Sequence, residues 1–152
     1  MIAVRVAAYQ APLLAAGSMD ALGLIAARVA WCEAEGVTIL CCPEAVLGGL
    51  ADYSEDPCQF AIATDAGRLV FIGRGQAAKV AVQARDCDIA KAVENKMWVI
   101  RADVAGRTNG LVSYGSSGIV DPDGMVAQSA RELAEDLVVA QIDTVRREKL
   151  VR

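Results

Sequence analysis

Glu44 is the residue in this chain whose neighbours best fit it for acid–base chemistry. It follows the run Val37-Thr38-Ile39-Leu40-Cys41-Cys42 directly after Pro43, and Gly48-Gly49 comes soon after. The run opens with β-branched residues and is apolar on both faces, so it reads as a strand buried on both sides. Pro43 stops it, because proline has no N–H to give to a sheet. A carboxylate just past the end of such a strand lies where open α/β sheets gather their chemistry. Burial there would push its pKa upward, as suits a general base. The plainer alternative is that Glu44 caps a following turn.

Other side chains narrow the chemistry. The chain contains no histidine, so Ser-His-Asp and Cys-His catalysis and any imidazole metal site are excluded. What remains for a catalyst is carboxylate, lysine and thiol. The five cysteines, Cys32, Cys41, Cys42, Cys58 and Cys87, form no Cys-x-x-Cys pair. No zinc site is expected from them, and their odd number suits a reducing compartment. They read as small buried hydrophobes, with adjacent Cys41 and Cys42 on opposite faces of a strand.

The elements that must position Glu44 follow from periodicity. Val4 to Gln10 reads as a first strand, Pro12 and Gly17 as a turn, and Ser18 as an N-cap with Asp20 in the first helical turn. Leu22, Ile25, Val29 and Cys32 fall at helical spacing, and Gly36 takes the position after the helix end. With the Val37 strand this makes a βαβ unit, whose strands should be parallel. Ala51 to Thr64 reads as a loop or irregular helix, and Leu69 to Ile72 as a four-residue strand. Gln76 to Asn95, free of Gly and Pro, predicts a helix whose apolar residues point two ways, to be covered on two sides. Met97 to Val104 predicts one strand and Ala105 to Gly110 a loop. Asp121-Pro122-Asp123-Gly124 predicts a hairpin turn, and Leu137 to Ile142 a last strand before a polar tail.

At 152 residues the length suits one domain or part of a larger one. The formal net charge of −4 and a pI near 4.8 offer no basic surface for nucleic acid. Arg146, Arg147 and Lys149 read as a short solvated cluster. Nothing at the start has the make-up of a signal peptide, and no apolar run reaches the ~18 residues of a membrane helix. A soluble, cytoplasmic protein is expected. The mean hydropathy of +0.35 is high, which favours a large interface and a homo-oligomer.

The residues also carry a resemblance. Pro43-Glu44 resembles the base-bearing strand end of the nitrilase, or carbon–nitrogen hydrolase, superfamily. Ala84-Arg85 through Glu94-Asn95, and then Trp98 to Gly106, resemble that family's late helix and strand. Tyr114-Gly115-Ser116-Ser117-Gly118-Ile119-Val120-Asp121-Pro122-Asp123-Gly124 is similar to its Gly-Ser-Ser hairpin, the most specific signal present. The resemblance implies an α/β fold, a shortened version of a four-layer α-β-β-α sandwich. It also implies hydrolysis of a small amide or nitrile, releasing ammonia, by a Glu-Lys-Cys triad with no cofactor and no metal. The cysteine would attack the carbon, the glutamate relay protons and the lysine stabilise developing charge.

Only Glu44 carries over as a triad member. The family's lysine and cysteine segments have no counterpart, and the sequence passes from Asp65-Ala66-Gly67-Arg68-Leu69 almost directly to Arg74-Gly75-Gln76. Residues 1–152 therefore read as one incomplete domain with an internal deletion near 65–75. Lys79 and Cys87 do not replace the lost pair, since eight residues of helix separate them by roughly 12 Å. Two functions stand. One is a carbon–nitrogen hydrolase with impaired catalysis. The other is a non-catalytic module that associates with itself or with a full-length relative.

Overall fold

The computed structural model describes residues 3–44, 46, 62–64, 67–69, 78–108 and 111–144, with backbone only at 62–64, 67–69 and 78–81. The longest strand, β1 (Ala3–Pro12), is the axis of the fold, and Val6 through Tyr9 have no exposed surface. Along one edge it pairs antiparallel with β10 (Asp136–Asp143), from Ala3 opposite Asp143 to Gln10 opposite Asp136. Its other edge is shared. Val6 to Ala8 pair in parallel with β2 (Ile39–Cys41), whereas Ala11 and Pro12 pair in parallel with β6 (Val104–Thr108). An antiparallel β7 (Leu111–Ser113) completes this sheet beyond β6. A second sheet contains β5 (Val99–Arg101), β8 (Gly118–Val120) and β9 (Val126–Ser129), all antiparallel. A two-stranded pair, β3 (Ile62–Thr64) and β4 (Gly67–Leu69), stands apart from both.

The alternation of side chains along β1 produces the layers. Val6 and Ala8 face the second sheet, packing with Ile119, Val138 and Ile142 and with half-buried Trp98 and Ile100. Tyr9 and Ala11 face the other way, packing with Ala21 and with Leu24 and Ile25 of α1 (Asp20–Ala34). The second helix, α2 (Ala78–Asn95), packs on β5 and β8. The order is therefore helix, sheet, sheet, helix, the α-β-β-α sandwich expected from the resemblance.

The parallel βαβ opening, the αL glycine after α1 (Gly36, φ +68°), the second helix, the Asp121 to Gly124 turn and the last strand all appear as expected. Other expectations need correction. Ser18 lies one residue before the helix cap Met19, although its Oγ accepts the Asp20 N–H. In α1, Cys32 is buried but Leu22 and Val29 are exposed, so the stripe is only partly covered. In β2, Ile39 is 48% exposed because the strand borders the sheet, so it is not buried on both faces.

Helix α2 buries one side, Asp88 and Ala92 with half-buried Arg85 and Ile89, and leaves Val82 and Val93 exposed. The buried face contains charged residues, which an apolar count cannot detect. Cys87 is exposed, contrary to expectation; Cys32 is buried and Cys41 and Cys42 are half-buried. The single strand expected over Met97 to Val104 is two. The chain leaves the second sheet after Arg101 and enters the first at Val104, and both sheets bury it. The loop expected from Ala105 is strand as far as Thr108. Cys58, most of 51–64 and of 65–75, Val70 to Ile72 and the basic C-terminal cluster lie outside the described residues. Among the described residues no helix is long and apolar enough to cross a membrane.

Candidate active site

The shared edge of β1 creates an opening. Once β2 ends at Cys41, its chain turns away through buried Pro43, and three residues farther along β1 the strand β6 takes over. A cleft of about 520 Å³ opens there, within the range of small-molecule sites. Pro43 and Glu44 line it from the β2 side, Asp88 and Lys91 from α2, and Val99 to Val104 from the β5–β6 crossover. Glu44 is exposed in a turn, so the burial expected around its carboxylate is not found.

The floor of the cleft is a closed set of polar partners. Asp88 is buried at 2% exposure and takes a bidentate grip from Arg101, with both N–H···O distances at 2.6 Å. The hydrogen bond to Asp88 raises the Arg101 pKa above its usual value, outweighing the opposing effect of burial. Buried Asp103 accepts the Val104 N–H at 2.8 Å on one oxygen and the Ser116 hydroxyl at 2.8 Å on the other. Its own N–H donates to the Ser117 Oγ at 2.9 Å.

Behind Asp103, the Gly115 to Gly118 turn is held from two sides. Gln10 reaches across from β1, accepting the Ser117 N–H and donating to the carbonyls of Arg131 and Ala134. Arg85 of α2 donates to the Ser116 and Ser117 carbonyls, each at 3.1 Å, and to the Ser129 hydroxyl. Two glycines make this possible. Gly115 has φ +79° and a Cβ there would overlap the Gln10 carboxamide, while a Cβ at Gly118 would overlap the Arg85 guanidinium. The Gly-Ser-Ser hairpin singled out in the sequence is thus the support of the cleft floor.

Three comparisons bear on this geometry. A family model described as carbon-nitrogen hydrolase matches residues 88–150, beginning at Asp88 on the cleft floor. Among solved structures, the chain is similar to XC1258 of Xanthomonas campestris, a CN-hydrolase superfamily protein. The TM-score is 0.65 at 15% identity, covering 95% of this chain and 92% of that one. The fold is that of the nitrilase superfamily. A variant of the Nesterenkonia amidase from the same superfamily superposes with a TM-score of 0.61 at 15% identity, covering 91% and 90%. The glutamine-dependent NAD+ synthetase of Acinetobacter baumannii gives 0.67 at 12%, covering 94% of this chain but 46% of that one. The chain thus spans under half the length of that synthetase. Against curated protein sequences it has no match.

Within this nitrilase fold, the one site residue taken from the sequence, Glu44, lies on the cleft. Cys87 lies on α2 but not among the lining residues, and the side chain of Lys79 is outside the described residues. Sequence reasoning missed Asp88, Lys91, Arg101 and Asp103 as site residues. A signal was available for two of them, since Arg101 and Asp103 are charges inside an otherwise apolar run.

Proposed function

We propose that this chain is a carbon–nitrogen hydrolase by descent, with Glu44 serving a small-molecule cleft and with weak or lost hydrolysis of an amide or nitrile. The observation that carries this reading is the Glu44 carboxylate on a cleft built over the nitrilase-type Gly-Ser-Ser hairpin. The impairment is supported by the state of three of the four described thiols, the fourth, Cys87, lying outside the cleft lining. Burial raises the pKa of Cys32, Cys41 and Cys42, which disfavours the thiolate that attacks carbon. The shortened middle near residues 65–75 belongs to the same reading. In this reading Glu44 activates water: it takes a proton as the oxygen attacks the amide carbon and returns it to the departing nitrogen.

Ammonia release from a panel of small amides tests this. Slow release that falls about 100-fold in Glu44→Gln is expected, at the lower end of what general-base catalysis contributes. Release undiminished by the substitution removes Glu44 from the reaction. The second reading is the non-catalytic module, a homo-oligomer or the partner of a full-length relative. It is supported by the exposed Met19, Leu22, Val29 and Trp31 on and beside α1. Concentration-dependent association in sedimentation, with no ammonia released, favours it; a monomer at high concentration counts against it.

A further inference from the structure

The outward face of α1 carries no charge between Asp20 and Glu33. The one charged residue in that interval, Arg28, turns inward to Glu135 and the Tyr9 ring. Gly23, Ala27, Ala30 and Ala34 are exposed and recur at three- and four-residue spacing, so they form one small-residue stripe about three turns long. Leu22 and Val29 border it on one side and Trp31 on the other, at 52%, 40% and 40% exposure. The result is a shallow apolar groove between two raised edges.

Gly23 indicates what fills it. A glycine inside a helix weakens it, and no contact within the described chain requires one here, since a Cβ at Gly23 would meet nothing within 4 Å. The close approach of a second backbone does require one. A second copy of α1, laid antiparallel, matches this face in shape and in charge. Leu22 and Val29 lie two turns apart on one flank, so a two-fold axis between them sets each against the other in the second copy. The same axis brings the Trp31 indole N–H beside Asp20 of the facing helix. It also brings Glu33 to the positive end of that helix, whose cap Met19 makes no side-chain hydrogen bond. A chain of net charge −4 repels its own copies, and the uncharged middle of this face keeps that repulsion small. We propose that two copies of this chain pair through α1, antiparallel, about an axis near Ile25 and Ala26. This rests on the self-association in the second reading above and not on its loss of catalysis. One pair of 15-residue helices lies at the small end of specific interfaces, so a dissociation constant of roughly 1–100 μM is expected.

Sedimentation velocity of the full chain over a dilution series tests this, with circular dichroism establishing that each variant folds. Gly23→Gln puts a better helix former where the monomer has room, so the fold should hold while the dimer weakens about ten-fold or more. Leu22→Glu and Val29→Lys should each weaken the dimer. Mixed together, those two variants should form a heterodimer, because the axis sets their opposite charges against each other. A native chain that stays monomeric at every concentration overturns the proposal and leaves the face to a different protein. A dimer unmoved by Gly23→Gln is held by another face: the proposal fails and self-association stands. Weakening by both single variants with no heterodimer on mixing overturns the antiparallel arrangement. Ammonia release from the same samples reports on the cleft separately. A dimer that hydrolyses amides sinks the non-catalytic reading and leaves the α1 pairing in place.

Discussion

The floor of the cleft and its rim are made of the same residue types and behave in opposite ways. On the floor, Asp88, Arg101, Asp103, Ser116 and Gln10 each meet a partner from another element, and the groups are buried or nearly so. On the rim, Glu44 and Lys91 are exposed, and their side chains have no partner among the described residues. A buried charge must be paired or the fold fails, so the floor answers to stability. An exposed charge costs the fold little, so the rim is free to answer to a ligand. The difference separates residues that hold the site's shape from residues that can select what enters it.

That contrast can be broken in graded steps, each read by urea unfolding. Arg101→Met strands the buried Asp88 carboxylate and should cost about 3–5 kcal/mol, the usual penalty for removing one partner of a buried pair. A loss below 1 kcal/mol would mean that the floor is wetter than described. Gly115→Ala combines a left-handed φ with overlap against Gln10 and should cost about 2 kcal/mol or more.

A third step uses pH at a floor-like cluster on the opposite face of the first sheet. The Tyr9 hydroxyl donates to Glu135 at 2.8 Å, and Arg28 pairs with the same carboxylate while its guanidinium stacks over the Tyr9 ring. Burial, aided by the bond to Glu135, pushes the Tyr9 pKa from 10.0 up to about 12. Between those values the unfolded chain has lost the proton that the folded chain keeps. Stability from this group is therefore complete below pH 10 and falls as pH rises toward 12. Tyr9→Phe should flatten that alkaline decline. A decline of unchanged size in the variant assigns it to other groups.

The rim should give the smallest response. Glu44→Gln and Lys91→Met should each change stability by less than about 0.5 kcal/mol, as exposed substitutions do. A larger loss in either variant would move that residue from the rim to the floor.

Much of the scaffold was legible in the sequence because it is written in local signals. Gly36 after a helix, Asp121-Pro122-Asp123-Gly124 between two short strands, and β-branched runs at both ends each specify an element from within a few residues. The Gly-Ser-Ser hairpin was visible through its resemblance to that of the nitrilase superfamily. What escaped notice depends on partners far along the chain. The Met97 to Val104 run looked like one strand because both sheets bury it, and the break at Ala102-Asp103 shows only when Ser116 and Ser117 arrive to hold Asp103. The inner face of α2 escaped because its key contacts are the charges Arg85 and Asp88, whose partners lie 13 to 44 residues away. Glu44 was found by its position after a strand-ending proline, while nothing around Lys91 marked it as a cleft residue.

The eight-residue pairing of β1 with β10 also sets the order in which this protein can be made. Strand β1 leaves the ribosome well before its longest partner, as Ala3 lies opposite Asp143. Until that partner emerges, β1 has one full edge unpaired, so the nascent chain must delay closing its central sheet. Contacts so distant in sequence also slow folding in free solution. Chains interrupted before β10 should therefore be prone to pairing with one another through that open edge.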